Sequence, residues 1–149
     1  MHRLRAFFFA FALFAAPRCA ARDLAVVVNK GNPASTVTVA ELEKLLKAAT
    51  QTWPEGKRVK VILTDPGSPD TKTLLQRAYK LSPAEIKSLA DAHKGDIQIV
   101  SSDDIVLTMV ESTPGAIGIV NVYSINSRVK VLKVDDKLPM ESGYLLHGN

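Results

Sequence analysis

The chain has 149 residues, a formal charge of +4 and a single cysteine, with 46% apolar and 23% charged residues. Three of its arginines (Arg3, Arg5, Arg18) fall before residue 22, so the chain from Arg22 onward carries a formal charge of only +1. That near-neutral balance holds no basic block of the kind that reads as a nucleic-acid or membrane-surface partner, and one cysteine excludes a disulfide framework.

Met1 to Arg5 is a basic opening, and Ala6 to Ala16 is an uncharged apolar run. Cys19-Ala20-Ala21 then places small residues at the −3 and −1 positions before Arg22. This is the pattern of a cleavable secretory leader over residues 1–21. Its eleven apolar residues fall short of the roughly 20 that span a bilayer, and no later stretch approaches that length. Residues 22–149 therefore read as one soluble, exported domain without a membrane span. A lipid anchor on Cys19 is disfavoured by Pro17-Arg18 just before it, since that chemistry wants small or apolar residues there.

Leu24 to Val28 is a continuous β-branched run, the mark of a central strand buried on both faces. Turn formers at 29–33 end it. Thr38-Val39-Ala40-Glu41 is a capping box, and Leu42, Leu45, Leu46 and Ala49 follow at the spacing of one helical face. A turn at Trp53–Lys57 leads into a strand over 59–63. The stretch Thr64 to Thr71, rich in Pro and Gly, precedes a helix marked by Leu74, Leu75, Ala78 and Tyr79, with Ser68 expected as its N-cap and Pro69 at its first position.

Ser82-Pro83-Ala84-Glu85 repeats the capping logic for a third helix, lined by Ile86, Leu89, Ala90 and His93. A short strand at 97–100 follows, and Ser102-Asp103-Asp104 opens a fourth helix with Val106, Met109 and Val110 inward. Thr113-Pro114-Gly115 breaks it before a strand at 116–120. The last strand, 129–134, alternates and belongs near a sheet edge. His147 falls in what reads as a frayed tail, and no two histidines stand at metal-ligand spacing.

Strands separated by helices predict a single three-layer α/β domain with a mostly parallel sheet. In such sheets ligands sit beyond the carboxyl ends of strands, near helix N-termini, which points to 64–72 and 100–104. Exposed amides and the helix dipole favour an anion there, with Ser68 and Thr71 as hydroxyl donors. Lys30 and Asn32, just past the first strand, are further candidates, as is the hydroxyl of Ser102. Motifs for a nucleophile elbow, a zincin or a P-loop are missing, so the chain reads as a non-enzyme without a cofactor.

Several segments, in order, resemble the phosphate-type periplasmic substrate-binding proteins of ABC transporters. They are Val28 to Pro33, Thr38 to Leu42, Trp53 to Gly56, Thr113 to Gly118, and Val129 to Asp135 with Tyr144-Leu145-Leu146. Ile119 stands where tyrosine is usual in that family, and Leu145 where proline is. The resemblance implies the type II periplasmic binding-protein fold, of which this chain would be one lobe. It also implies a periplasmic location, binding of a small oxyanion such as phosphate, and an ABC permease partner. Gly67-Ser68-Pro69-Asp70-Thr71 stands where the family has its G-S-G-T anion loop, with Pro69 removing one amide donor and Asp70 adding a carboxylate. The resemblance thus points to Gly67, Ser68, Asp70 and Thr71 as ligand residues, beside Lys30 and Ser102, which are candidates by their place past the first strand and at the start of the fourth helix. The alternative is an envelope interaction module that keeps the fold without the ligand, pairing with itself as a homodimer or with another envelope protein.

Overall fold

The computed structural model describes residues 22–148, so the expected leader and Cys19 lie outside the described residues. Seven strands and four α-helices follow in chain order: β1 (Leu24–Asn29), β2 (Thr36–Val37), α1 (Val39–Leu46), β3 (Lys60–Leu63), α2 (Lys72–Tyr79), α3 (Pro83–Ala92), β4 (Ile97–Ile99), α4 (Asp103–Ser112), β5 (Ala116–Asn121), β6 (Val129–Val131) and β7 (Lys133–Val134). A 3₁₀ turn spans Val122–Ser124.

The main sheet has the order β4-β3-β5-β1-β6, and β2 pairs with β7 in a separate two-stranded ladder. β3 is parallel to both β4 and β5, whereas β1 is antiparallel to β5 and β6. Four strands thus share one direction and β1 alone opposes them, so the sheet is mostly parallel. The reversal of β1 matters for the site, because its start, not its end, lies beside the carboxyl ends of the others: Leu24 is in register with Asn121.

The period-2 pattern of each central strand divides its side chains between two cores. Leu24, Val26 and Val28, with Val61, Leu63, Ile117 and Ile119, face the core that α1, α2 and α3 cover. Ala25, Val27, Ile62 and Val120 face a second core against Val106, Leu107 and Val110 of α4. This gives three layers, α/β/α. Gly118 lies under α4, where an added Cβ would stand 2.5 Å from Val106 Cγ1. The absent side chain is what lets that helix sit close to β5.

Local chemistry sets the helix starts. Thr38 and Glu41 complete their capping box on α1 at 3.1 and 2.9 Å. Ser82 accepts the Glu85 amide at the start of α3. Trp53 is buried, and its Nε1 donates to the Gly115 carbonyl at 2.8 Å, pinning the 53–57 turn to the entry of β5. Gly115 adopts φ +84°, and a Cβ there would meet the Arg58 carbonyl at 2.2 Å, so only glycine makes this turn.

Three expectations are revised. The first helix ends at Leu46, leaving Ala49 exposed, because the chain turns through a left-handed Ala48 at φ 57°. The last strand is two: Leu132 donates instead to the Val26 carbonyl between β6 and β7. The tail is not frayed through His147, since Asp23 accepts from Gly148 N and Met140 N and contacts His147 Nδ1, while Tyr144 Oη donates to the Leu24 carbonyl.

Candidate functional site

A cleft of about 280 Å³ opens at the carboxyl ends of β3 and β5. Its floor is apolar, made of Leu24, Leu63, Ile119 and Val120. Its walls are polar: Thr64, Asp65, Ser68, Asp70 and Thr71 on one side, Ser101, Ser102, Asp103 and Asn121 on the other.

The first wall follows from two consecutive β-turns. Ser68 N donates to the Asp65 carbonyl at 3.2 Å, and Thr71 N to the Ser68 carbonyl at 3.1 Å. Pro66 and Pro69 each occupy the second position of their turn, where the ring's fixed φ is already correct. The Asp65 carboxylate accepts the Gly67 amide at 2.9 Å and closes the first turn. That hydrogen bond, together with Lys87 at 3.4 Å, holds the Asp65 carboxyl below its ordinary pKa.

The double turn delays the helix. α2 begins at Lys72 with Thr71 as its N-cap, so Ser68 is not the cap that the sequence pattern suggests. Thr71 makes no side-chain capping bond, whereas Thr38, Ser82 and Ser102 all cap their helices. Lys72 N is taken by the Ser68 carbonyl at 2.9 Å. The amides of Thr73 and Leu74 complete a first turn whose donors have no intrahelical acceptor. The Ser68 hydroxyl has no hydrogen bond among the described residues, and Thr71 Oγ1 makes a long one of 3.4 Å to the Asp65 carbonyl.

The opposite wall is more committed to structure. Ser102 Oγ accepts the Ile105 amide at 3.3 Å, capping α4. Asp103 Oδ2 accepts from Asn121 N at 3.0 Å and Ser124 Oγ at 2.8 Å, tying the α4 start to the end of β5. Nothing in the spacing of Asp103 and Asn121 announces that bridge; it depends on a contact 18 residues apart in sequence.

The structure therefore brings Ser68, Asp70, Thr71 and Ser102 to one cleft, with Gly67 in the turn behind its wall. It does not bring Lys30. Because β1 runs against its neighbours, Lys30 follows Asn29 at the opposite end of the sheet, about 20 Å from Leu24 by strand rise. Asn32 is buried at that same far end, its carbonyl accepting from Lys130 Nζ. Sequence reasoning did not single out Thr64, Asp65 or Asn121, although Thr64 and Asp65 fall inside the segment it marked.

A wider hollow of about 630 Å³ lies between α1, β2 and the 50–54 turn. The helix start beside it, at α1, is already satisfied by its own capping box. Among the described residues, no group of three or more His, Cys, Asp and Glu side chains is placed to hold a metal ion, and no helix is long and apolar enough to cross a membrane.

Residues 14–144 match the sequence profile of the PBP superfamily domain. The chain belongs to this family. None of the curated proteins matches it. Solved structures share its fold. An ABC-type phosphate transport receptor from Vibrio cholerae aligns with TM-score 0.69 at 19% identity, over 85% of this chain and 54% of that one. PstS from Borrelia burgdorferi aligns with TM-score 0.68 at 20% identity, over 86% and 55%. A phosphate-binding protein from Stenotrophomonas maltophilia aligns with TM-score 0.61 at 16% identity, over 79% and 40%. This PBP-family chain thus spans about half the length of the phosphate-transport receptors whose fold it shares.

Proposed function

We propose that this PBP-family chain is an exported binding lobe for a small oxyanion, phosphate above all, that works with an ABC permease. The single observation that carries the reading is the start of α2. It is the α-helix start without a side-chain cap among those described, and it borders a cleft whose walls offer the hydroxyls of Ser68, Thr71, Ser101 and Ser102. Open amides and the positive end of the helix dipole favour an anion at that point. The phosphate receptors that share the fold support the same ligand class.

The charge balance selects among oxyanions. Asp65, Asp70 and Asp103 line the cleft and no lysine or arginine does. A carboxylate repels a bare dianion, but it accepts a hydrogen bond from the P–OH of a protonated phosphate. Sulfate has no such proton at neutral pH. The site is therefore read as one for hydrogen phosphate species, with Ser68 and Thr71 donating and Asp70 accepting. Lys30 has no part in it.

The test is calorimetric titration of residues 22–149 with phosphate and, separately, sulfate. Saturable phosphate binding with Kd on the order of 0.1 mM, about −5.5 kcal/mol, is expected of a cleft open to water on one side. Sulfate should bind at least about tenfold more weakly, a difference of about 1.4 kcal/mol. A folded protein giving no heat at millimolar phosphate would overturn the reading.

A further inference from the structure

The exposed large apolar side chains among the described residues are Ile99, Ile105, Tyr123, Leu138 and Met140. All five stand at the cleft end of the sheet. Ile99 closes β4, in register with Leu63 at the end of β3. Ile105 is in the first turn of α4, and Tyr123 lies two residues past Asn121 at the end of β5. Leu138 and Met140 follow β7, and the Met140 amide donates to Asp23 at the entry to β1. The opposite end of the sheet has none. Singly exposed apolar residues need no explanation, but here they all fall at the end of the sheet that holds the cleft, Ile99 at one edge and Met140 toward the other.

Two charge features complete this face. The cleft walls carry three carboxylates; Asp65 already has Lys87 beside it at 3.4 Å, whereas no lysine or arginine among the lining residues faces Asp70. Beside the cleft, the Arg22 guanidinium lies 5.0 Å above the Tyr123 ring, and Tyr123 is 69% exposed. Tyrosine and arginine are the residue types that dominate interface energetics. The face therefore holds both halves of a complementary pair, an acidic hollow and a cationic aromatic rim.

We infer that the cleft face is a self-association surface, on which a second copy of this chain seats its Arg22–Tyr123 rim over the first copy's Asp70 wall. A two-fold axis brings each rim to the other's hollow, so one patch makes the contact twice. The second copy also supplies the cation that the cleft lacks, which completes the site; in that respect the inference deepens the oxyanion reading and rests on it.

The test is sedimentation of protein purified from cells expressing the whole chain, over about 1 to 500 μM, a range that brackets a weak dimer. Mass is expected to rise toward a dimer with concentration. Tyr123→Asp, Arg22→Glu and Asp70→Arg should each raise the dimer dissociation constant about tenfold or more. Circular dichroism should show all three folded, since these side chains are exposed. Mixing Arg22→Glu chains with Asp70→Arg chains should restore the dimer, because both contacts of the mixed pair then carry opposite charges. A monomer across the whole range, or a dimer indifferent to these changes, overturns the inference. Phosphate titration of the same samples separates the two readings: a dimer that binds no phosphate overturns the oxyanion reading alone, and a monomer that binds it overturns self-association alone.

Discussion

His147 Nδ1 lies 2.7 Å from Oδ1 of Asp23, joining residues 124 positions apart at the two ends of the described chain. Asp23 is only 5% exposed, and its carboxylate also accepts the Met140 amide at 2.6 Å and the Gly148 amide at 3.0 Å. One buried side chain thus anchors the closing segment across the start of β1, next to the cleft. Asp23→Ala should cost about 3 kcal/mol, because two backbone donors and a ring nitrogen lose a charged acceptor together. His147→Ala should cost about 1 kcal/mol, since it leaves the two backbone donors satisfied. Urea unfolding of the three proteins gives that order directly; equal losses would mean the histidine alone carries the anchor.

Gly118 is fixed by packing. A Cβ at this position would come within 2.5 Å of Val106 Cγ1 and 3.1 Å of Val110 Cγ2. Gly118→Ala should therefore destabilise by about 1–3 kcal/mol through overpacking, although alanine suits a strand better than glycine. Adding Val106→Ala to Gly118→Ala should recover part of the loss, because it removes the nearer of the two methyls. A double-mutant cycle with no coupling would place the strain elsewhere.

Much of this fold could be read from short-range patterns. The capping box at Thr38, the N-cap at Ser82 and the β-branched run at Leu24 act within a few residues, so spacing alone exposes them. The direction of β1 is different. Leu24 to Val28 reads the same in either sense, and only its partners Ile117 to Asn121 decide it, which is why Lys30 looked like a cleft residue and is not. Ser68 misled for a related reason: serine before proline fits a helix cap, but the preceding Asp65-Pro66-Gly67 turn leads into a second turn and moves the helix start to Lys72. Of the candidate site, the hydroxyls on 68–71 and Ser102 were legible because they precede helices. Asp103, Asn121 and the Arg22–Tyr123 pair depend on long-range contacts that no local pattern encodes.

Glu43 of α1 contacts Lys47 at 2.8 Å and Lys80 at 3.1 Å, linking the C-caps of α1 and α2. The Lys47 hydrogen bond first, then Lys80, lowers its pKa from the ordinary 4.5. A carboxylate whose folded pKa is depressed contributes stability above the unfolded value and loses it as pH falls through the folded one. Stability should therefore decline below about pH 4.5 more steeply in the native chain than in Glu43→Gln. Denaturant midpoints from pH 7 to pH 3 measure this. The difference should be small, because the pair is exposed to solvent, and it should shrink further in 0.5 M salt. Parallel curves at low salt would show that the contact contributes nothing.

Ser68 and Ser102 face the same cleft, yet they should fail in opposite ways. Ser102 accepts the Ile105 amide as the cap of α4, so Ser102→Ala should lose about 1 kcal/mol of stability. Ser68 caps nothing: its carbonyl, not its hydroxyl, takes the Thr71 and Lys72 amides, and alanine leaves those bonds intact. Ser68→Ala should therefore unfold at the native midpoint while phosphate binds about tenfold more weakly, the loss of one good hydrogen bond to an anion. Thermal melts and phosphate titrations of both variants decide it. If Ser68→Ala instead lowers the melting midpoint and leaves binding alone, the hydroxyl belongs to the turn, and the anion site must be built from the opposite wall.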